Sequence, residues 1–289
     1  MTLLTFRDVS KSRGNPMLER ITLDIPEQTL VGVTGKNGSG KSTLLELAAG
    51  LLRPSHGEIH IGRYDLDTIT AQEAICFMDE HVPFPPNFTL KEIAEQASSF
   101  YPAWAGTVMA EAVDYFQLPM NQKLGVLSKG EKALFRALYA LSTRAPLTLM
   151  DEPESGLDET VRREFYDLVL KEYIRHPRTI MIATHHLSEM EQILEHLVIL
   201  HEGKLLLHEE VDVLRDMYVT VQGNPDLPED VKKQAVRLET LPGGQIEAVI
   251  READWSVEVH PAWQKRLRPA EVYYVLTKQR GGMPYSTDQ

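Results

Sequence analysis

The chain has 289 residues and a mass of 32.7 kDa, room for one large domain or for one of roughly 200 residues with a small companion. Its hydrophobic share of 43% and charged share of 25% are those of a globular protein. A net charge of −12 and a pI of about 5.3 argue against a main role on DNA or RNA, which calls for a basic stripe. Cys76 is the only cysteine, so no internal disulfide can form and a reducing compartment fits.

The chain opens Met1-Thr2-Leu3-Leu4-Thr5-Phe6-Arg7-Asp8, which alternates like a strand and lacks the apolar core of a signal peptide. Strand patterns follow over residues 3–9, 20–25 and 29–33. The third runs into Gly35, Lys36, Asn37, Gly38, Ser39, Gly40, Lys41, Ser42, which fits G-x-x-x-x-G-K-[ST] with a helix expected over 43–52. Strand, loop and helix in that order are what the pattern requires. Glycines let backbone N–H groups converge on phosphate oxygens, and the new helix aims its positive end at the same point. Lys41 is placed to reach β- and γ-phosphates, and the Ser42 hydroxyl to hold Mg²⁺.

Strand patterns at 58–61 and 75–78 come next, then a Pro-rich linker at 82–86 that cannot continue a helix. A helix-rich middle extends from about 87 to 143. The longest uncharged run, 96–110, contains Pro102 and Gly106 and falls short of the roughly 20 apolar residues of a membrane helix. Any membrane task therefore falls to a separate subunit. Short apolar runs at 146–150, 179–183 and 197–201 read as parallel strands covered on both faces. Between the first two, Val161, Phe165, Leu168 and Val169 share one helix face. The alternation is α/β. From 217 onward the pattern changes to a small α+β appendage: strands at 218–221, 246–250 and 272–276, a helix at 228–236, a turn at 241–244 and a loose tail from Gly281. No internal repeat or low-complexity block is present.

Four later segments carry chemistry. The run Leu147-Thr148-Leu149-Met150 delivers Asp151 and Glu152 at a strand's C-terminal end, where open α/β sheets bind ligands. Asp151 suits Mg²⁺ and Glu152 suits a general base. Ser128 with Glu131 three residues on is a capping box; the same helix tip, with Gly130, can also hold an anion. Asp158 is an N-cap or a contact to a partner's phosphate loop. His185, after the strand at 179–183, can bond a γ-phosphate and place a water; a metal site there lacks a third ligand nearby in sequence.

In order and spacing, these segments resemble the nucleotide-binding subunit of ATP-binding cassette (ABC) transporters over residues 1 to about 215. The resemblance implies a P-loop NTPase cassette at 1–216, a mixed-sheet core with a helical subdomain at about 87–143, and an α+β domain at 217–289. Gly35 to Ser42 with Thr43 then resemble the Walker A loop, and Asp151 and Glu152 the end of Walker B with the catalytic glutamate. Leu127 to Glu131 resemble the signature loop, Asp158 closes the D-loop, and His185 is similar to the switch histidine. Lys41, Glu152 and His185 are the implied catalytic groups, and Ser42, Glu80 and Asp151 the implied Mg²⁺ ligands. Ser128 and Gly130 would close over ATP held by another copy. Four segments depart from the family pattern, at five residues. Lys129 and Glu131 alter the signature, Glu80 stands at the Q-loop glutamine, Arg13 stands near the adenine-stacking aromatic, and Glu154 replaces a threonine.

The resemblance implies ATP and Mg²⁺ as ligands, a second nucleotide-binding subunit and a separate transmembrane permease as partners, and a place on the cytoplasmic face of the membrane. No nucleic acid partner is expected. Phe100-Tyr101-Pro102-Ala103-Trp104 and the Leu127-Ser128-Lys129-Gly130 variant are similar to bacterial cassettes of drug- or antibiotic-export type. A soluble cassette acting on ribosomes or DNA, and a regulatory module that holds ATP without turnover, are the rival expectations.

Overall fold

The computed structural model describes residues 1–223, 227–254 and 264–277. By contact the chain divides into two compact units, Met1–His208 and Glu209–Gln289.

In the first unit, β1 (Thr2–Arg13) and β2 (Asn15–Pro26) form an antiparallel hairpin. β3 (Leu30–Thr34), fully buried, leads into α1 (Lys41–Ala48). β4 (His56–Ile61), β5 (Tyr64–Asp65), α2 (Ile69–Glu73) and β6 (Ile75–Met78) follow, then α3 (Leu90–Phe100), α4 (Gly106–Tyr115) and α5 (Lys129–Thr143). The chain returns through β7 (Leu147–Asp151), α6 (Glu159–Arg175), β8 (Thr179–Ala183), α7 (Leu187–Met190), β9 (His196–His201) and β10 (Lys204–Glu210). One sheet has the order β2-β1-β4-β5 and a second β10-β9-β3-β8-β7-β6. In the second, β3, β6, β7, β8 and β9 pair in parallel. Strands buried on both faces must be apolar throughout, and Leu147, Leu149, Met181, Ala183 and Val198 meet that requirement in a core shared with Leu44, Leu45 and Leu47 of α1.

The helices of the middle region gather around Tyr139 of α5, whose ring lies 5.0 Å from Phe84, 5.2 Å from Trp104 and 6.0 Å from Tyr101. Phe84 belongs to the Pro-rich linker, so these edge-to-face contacts fix that linker on α5. α5 ends at Arg144 in the left-handed conformation (φ 51°), and three residues later β7 begins. The helix tip at Ser128 and the strand end at Asp151 are thus joined through α5 by a three-residue connection to β7.

The second unit contains α8 (Val211–Met217), β11 (Tyr218–Gly223), α9 (Glu229–Gln234), β12 (Arg237–Thr240), β13 (Ile246–Arg251), β14 (Gln264–Arg266) and α10 (Pro269–Thr277). Its strands pair antiparallel in the order β12-β13-β11-β14. Residues 272–276, expected as a strand, are helical. Val272-Tyr273-Tyr274-Val275 has β propensity, but Pro269 opens the helix, where a missing N–H costs nothing. Glu271 also reaches back to accept from the Arg268 N–H at 2.9 Å. The division at His208/Glu209 precedes the expected 216/217 because α8 packs on α10. The tail from Gly281 lies outside the described residues. Among the described residues no helix is long and apolar enough to cross a membrane.

Candidate functional site

β3, β8 and β7 lie side by side, and the register sets both Val33 and Asp151 beside Ala183. Their C-terminal loops therefore leave the sheet together: Gly35 to Lys41 after β3, Glu152 after β7, and Thr184-His185-His186 after β8.

In the phosphate loop, Gly40 has φ 103°. A Cβ there would lie 2.5 Å from Leu18 Cδ2 and 3.0 Å from the Met17 carbonyl oxygen, so only glycine fits. The buried Lys41 side chain folds back over the loop and donates from Nζ to the carbonyl oxygens of Gly35 (2.9 Å) and Lys36 (3.4 Å). Ser39 Oγ is buried without a partner.

At the end of β7, Asp151 Oδ1 is also buried without a partner. Burial pushes this carboxyl above the usual carboxylate range, with the Ser42 hydroxyl pulling the other way and the charge of Glu152 adding to the push. An orphaned hard oxygen beside a serine hydroxyl is a donor set that fits Mg²⁺. Directly afterwards Glu152 adopts φ 46°, a left-handed conformation uncommon outside glycine, and its N–H donates to the Ala183 carbonyl at 2.9 Å. This turn presents its carboxylate to His185, whose Nδ1 lies 3.4 Å from Oε1. The His185 and His186 rings are 4.0 Å apart. Burial, with the charges of His185 and Arg162, holds His186 below the ordinary imidazole value.

The signature segment shows both features of its cap. Ser128 Oγ accepts from the Glu131 N–H at 3.2 Å, Glu131 Oε2 accepts from the Ser128 N–H at 2.8 Å, and the Ser128 hydroxyl donates to Oε2 at 2.6 Å. Glu131 thus holds the proton that Ser128 would offer an anion. Gly130 lies against the turn after β7, where a Cβ would sit 2.8 Å from the Gly156 carbonyl oxygen. Lys129 Nζ reaches Glu80 Oε2 at 3.3 Å, so two of the departures from the family pattern neutralise each other. Asp79, Glu80, Lys129, Arg136, Asp151 and Glu152 line one cavity of about 390 Å³. Asp158 caps α6, accepting from the Val161 N–H at 3.0 Å. Arg13 is exposed at the end of β1, and its charge is felt at Glu46 of α1.

Sequence reasoning missed the Lys129–Glu80 pair and the burial of Glu154, which accepts a hydrogen bond from Thr184. It also missed the two-bond fork from Arg162 to Glu189 (2.9 and 2.8 Å) that ties α6 to α7 behind His186. The opposite charges of Lys129 and Glu80 were a signal for the first. For the others the register of β7 and β8 was needed.

Comparison with known proteins gives matching relatives over most of the first unit. The family model described as ABC transporter matches residues 18–155, and one described as an AAA domain, putative AbiEii toxin, Type IV TA system, matches 120–191. The aliphatic sulfonates import ATP-binding protein SsuB of Shigella flexneri is 31% identical over 215 residues, which are 74% of this chain and 83% of that protein. The ABC transporter ATP-binding protein YtrB of Bacillus subtilis (strain 168) is 26% identical over 222 residues, 76% of each. The dimeric ATP-binding cassette MJ0796, solved in a post-hydrolysis state with ADP and Pi, matches at a TM-score of 0.63 and 24% identity, over 72% of this chain and 98% of that one.

Proposed function

This chain belongs to the ABC transporter ATP-binding proteins, which are ATPases, and we propose that it pairs with a second such subunit on ATP and drives a separate membrane permease from the cytoplasmic face. The observation that carries this reading is the state of Lys41. Its ammonium is buried and, among the described residues, bonds two carbonyls of its own loop, which phosphate oxygens would replace.

In that reading the loop N–H groups from Gly35 to Thr43 and the N-terminus of α1 cradle the phosphates, and Lys41 bonds the β- and γ-phosphates. Ser42 and Asp151 hold Mg²⁺, with Glu80 joining once it leaves Lys129. Bound there, the ion neutralises charge on the phosphates. Glu152 accepts the proton of the attacking water, and His185, 3.4 Å away, orients it and bonds the γ-phosphate. Arg13 stacks on the base. Ser128 and Gly130 of one copy close over ATP held by the other, with Asp158 at the junction. MJ0796 is a dimeric cassette, which supports the pairing. The export direction rests on the Phe100 to Trp104 and Leu127 to Gly130 segments, while SsuB is named for import.

The test is Mg²⁺-dependent ATP hydrolysis, with Lys41→Ala abolishing tight nucleotide binding. Light scattering of Glu152→Gln should show dimer with ATP and monomer without it. A protein that stays monomeric at saturating ATP and turns none over refutes the reading.

A further inference from the structure

Among the described residues, no backbone ladder beyond the sheet edge joins the loop that carries Glu152 to the loop that carries His185. The last such bond is Glu152 N–H to Ala183 O at 2.9 Å. Side chains take over there. Glu154, only 1% exposed, accepts on Oε1 from the hydroxyl of Thr184, which is 0% exposed. The same Thr184 oxygen accepts from the His186 N–H at 2.8 Å, and the Thr184 N–H donates to the Val33 carbonyl of β3 at 3.1 Å. Thr184 is therefore the junction of three segments: the strand that feeds the phosphate loop, the turn after the Asp151-Glu152 pair, and the histidine segment.

A buried carboxyl is costly unless its oxygens are bonded. Here Oε2 has no partner, and the buried Tyr166 hydroxyl on α6 lies beside the Thr184 hydroxyl and feels the Glu154 charge. Burial raises the Glu154 carboxyl above its ordinary value. The charged groups around it are Glu152 on its own turn, His185 beyond β8, and Arg162 on α6, itself paired with Glu189. Packing alone does not call for a glutamate at this place, since an apolar side chain would fill it without the desolvation cost.

We propose that Glu154 is a positioning residue for ATP hydrolysis: through the Thr184 hydroxyl it fixes the backbone carrying His185 against Glu152. The proposal rests on the ATPase reading above. Its reach is longer than that of a threonine at the same site, which is why a glutamate can span from the turn after β7 to the end of β8. Glu154 does not touch substrate in this account; it acts through His185.

The test is a double-mutant cycle on the full chain, read as kcat and KM for Mg²⁺-ATP. Glu154→Ala should lower kcat by about 10- to 100-fold, the scale of a misplaced catalytic group, with KM changed less than about threefold. Thr184→Val should match it, and Thr184→Ser should keep the bond and the rate. Glu154→Gln retains an oxygen that accepts from Thr184 and should recover most of the lost kcat. In a His185→Ala background, Glu154→Ala should cost less than about threefold more, because coupled residues are not additive. Full additivity, an unaffected kcat in both Glu154→Ala and Thr184→Val, or a rise in KM alone overturns the proposal. So does a His185→Ala variant with normal turnover, since nothing would then need placing. Wild-type protein without ATPase activity instead defeats the reading on which the proposal stands. Thermal melts identify any variant that fails to fold, and the Thr184 pair then decides the matter.

Discussion

Replacing Glu152 by glutamine isolates the proton-accepting step. The side chain is 36% exposed, and glutamine has the same length and branching, so the φ of 46° is equally accessible to it. Folding stability should change by no more than about 0.5 kcal/mol, the usual scale for a surface substitution. Chemistry should change far more. Loss of a general base costs about 10²–10⁴ in rate, or roughly 3–5 kcal/mol of barrier at about 1.4 kcal/mol per decade. The geometry adds a sharper expectation. His185 lies 3.4 Å from the Glu152 carboxylate, so the two act as a unit, and removing His185 from the Glu152→Gln protein should cost less than removing it from the wild type. Phosphate release at saturating Mg²⁺-ATP measures kcat, and fluorescent-nucleotide titration checks that binding survives. Turnover within about threefold of wild type, or fully multiplicative losses in the double variant, would refute the assignment of Glu152 and His185.

Three further outcomes follow from buried groups. Asp151 has a folded value raised above 3.8 by burial, so its charge opposes folding and stability is lost as pH rises past about 4 toward neutrality. Asp151→Asn should melt higher than wild type at pH 7, with the gap narrowing at pH 4, while Mg²⁺-dependent turnover is lost; a lower melting point at both pH values contradicts this. The Cys76 thiol is pushed up from 9.0 to about 11 by burial. A thiol reagent at pH 8 should therefore leave it untouched until urea is added, and its stabilising share should fade only as pH climbs from 9 through about 11. Rapid labelling of folded protein refutes the burial. Glu172, 2% exposed, bonds Arg144 at 2.7 Å and lies 3.6 Å from the buried Arg178. Glu172→Ala should cost about 3–5 kcal/mol, the scale of breaking a buried pair, in urea unfolding, and a loss below about 1 kcal/mol would show the cluster to be solvated.

The glycine-rich loop between β3 and α1 is legible in residue order alone, because backbone approach to an anion imposes a local rule that glycine, lysine and serine at fixed offsets satisfy. The two caps at Ser128 and Asp158 are equally local, since their bonds span three residues, and the buried parallel strands follow from short apolar runs set in an α/β alternation; the apolar run at 272–276, outside that alternation, is helical. The helix at Pro269–Thr277 carries local signals too, a first-turn proline and glutamate, and these outweigh the β propensity of its middle. Tertiary structure alone decided what happens across distance. Lys129 meets Glu80 because the helix tip of α5 and the loop after β6 share one cavity. Glu154 meets Thr184 because β7 and β8 pair with Asp151 beside Ala183. Local rules act through bonds a few residues long, whereas these contacts depend on a strand register that no short window of sequence contains.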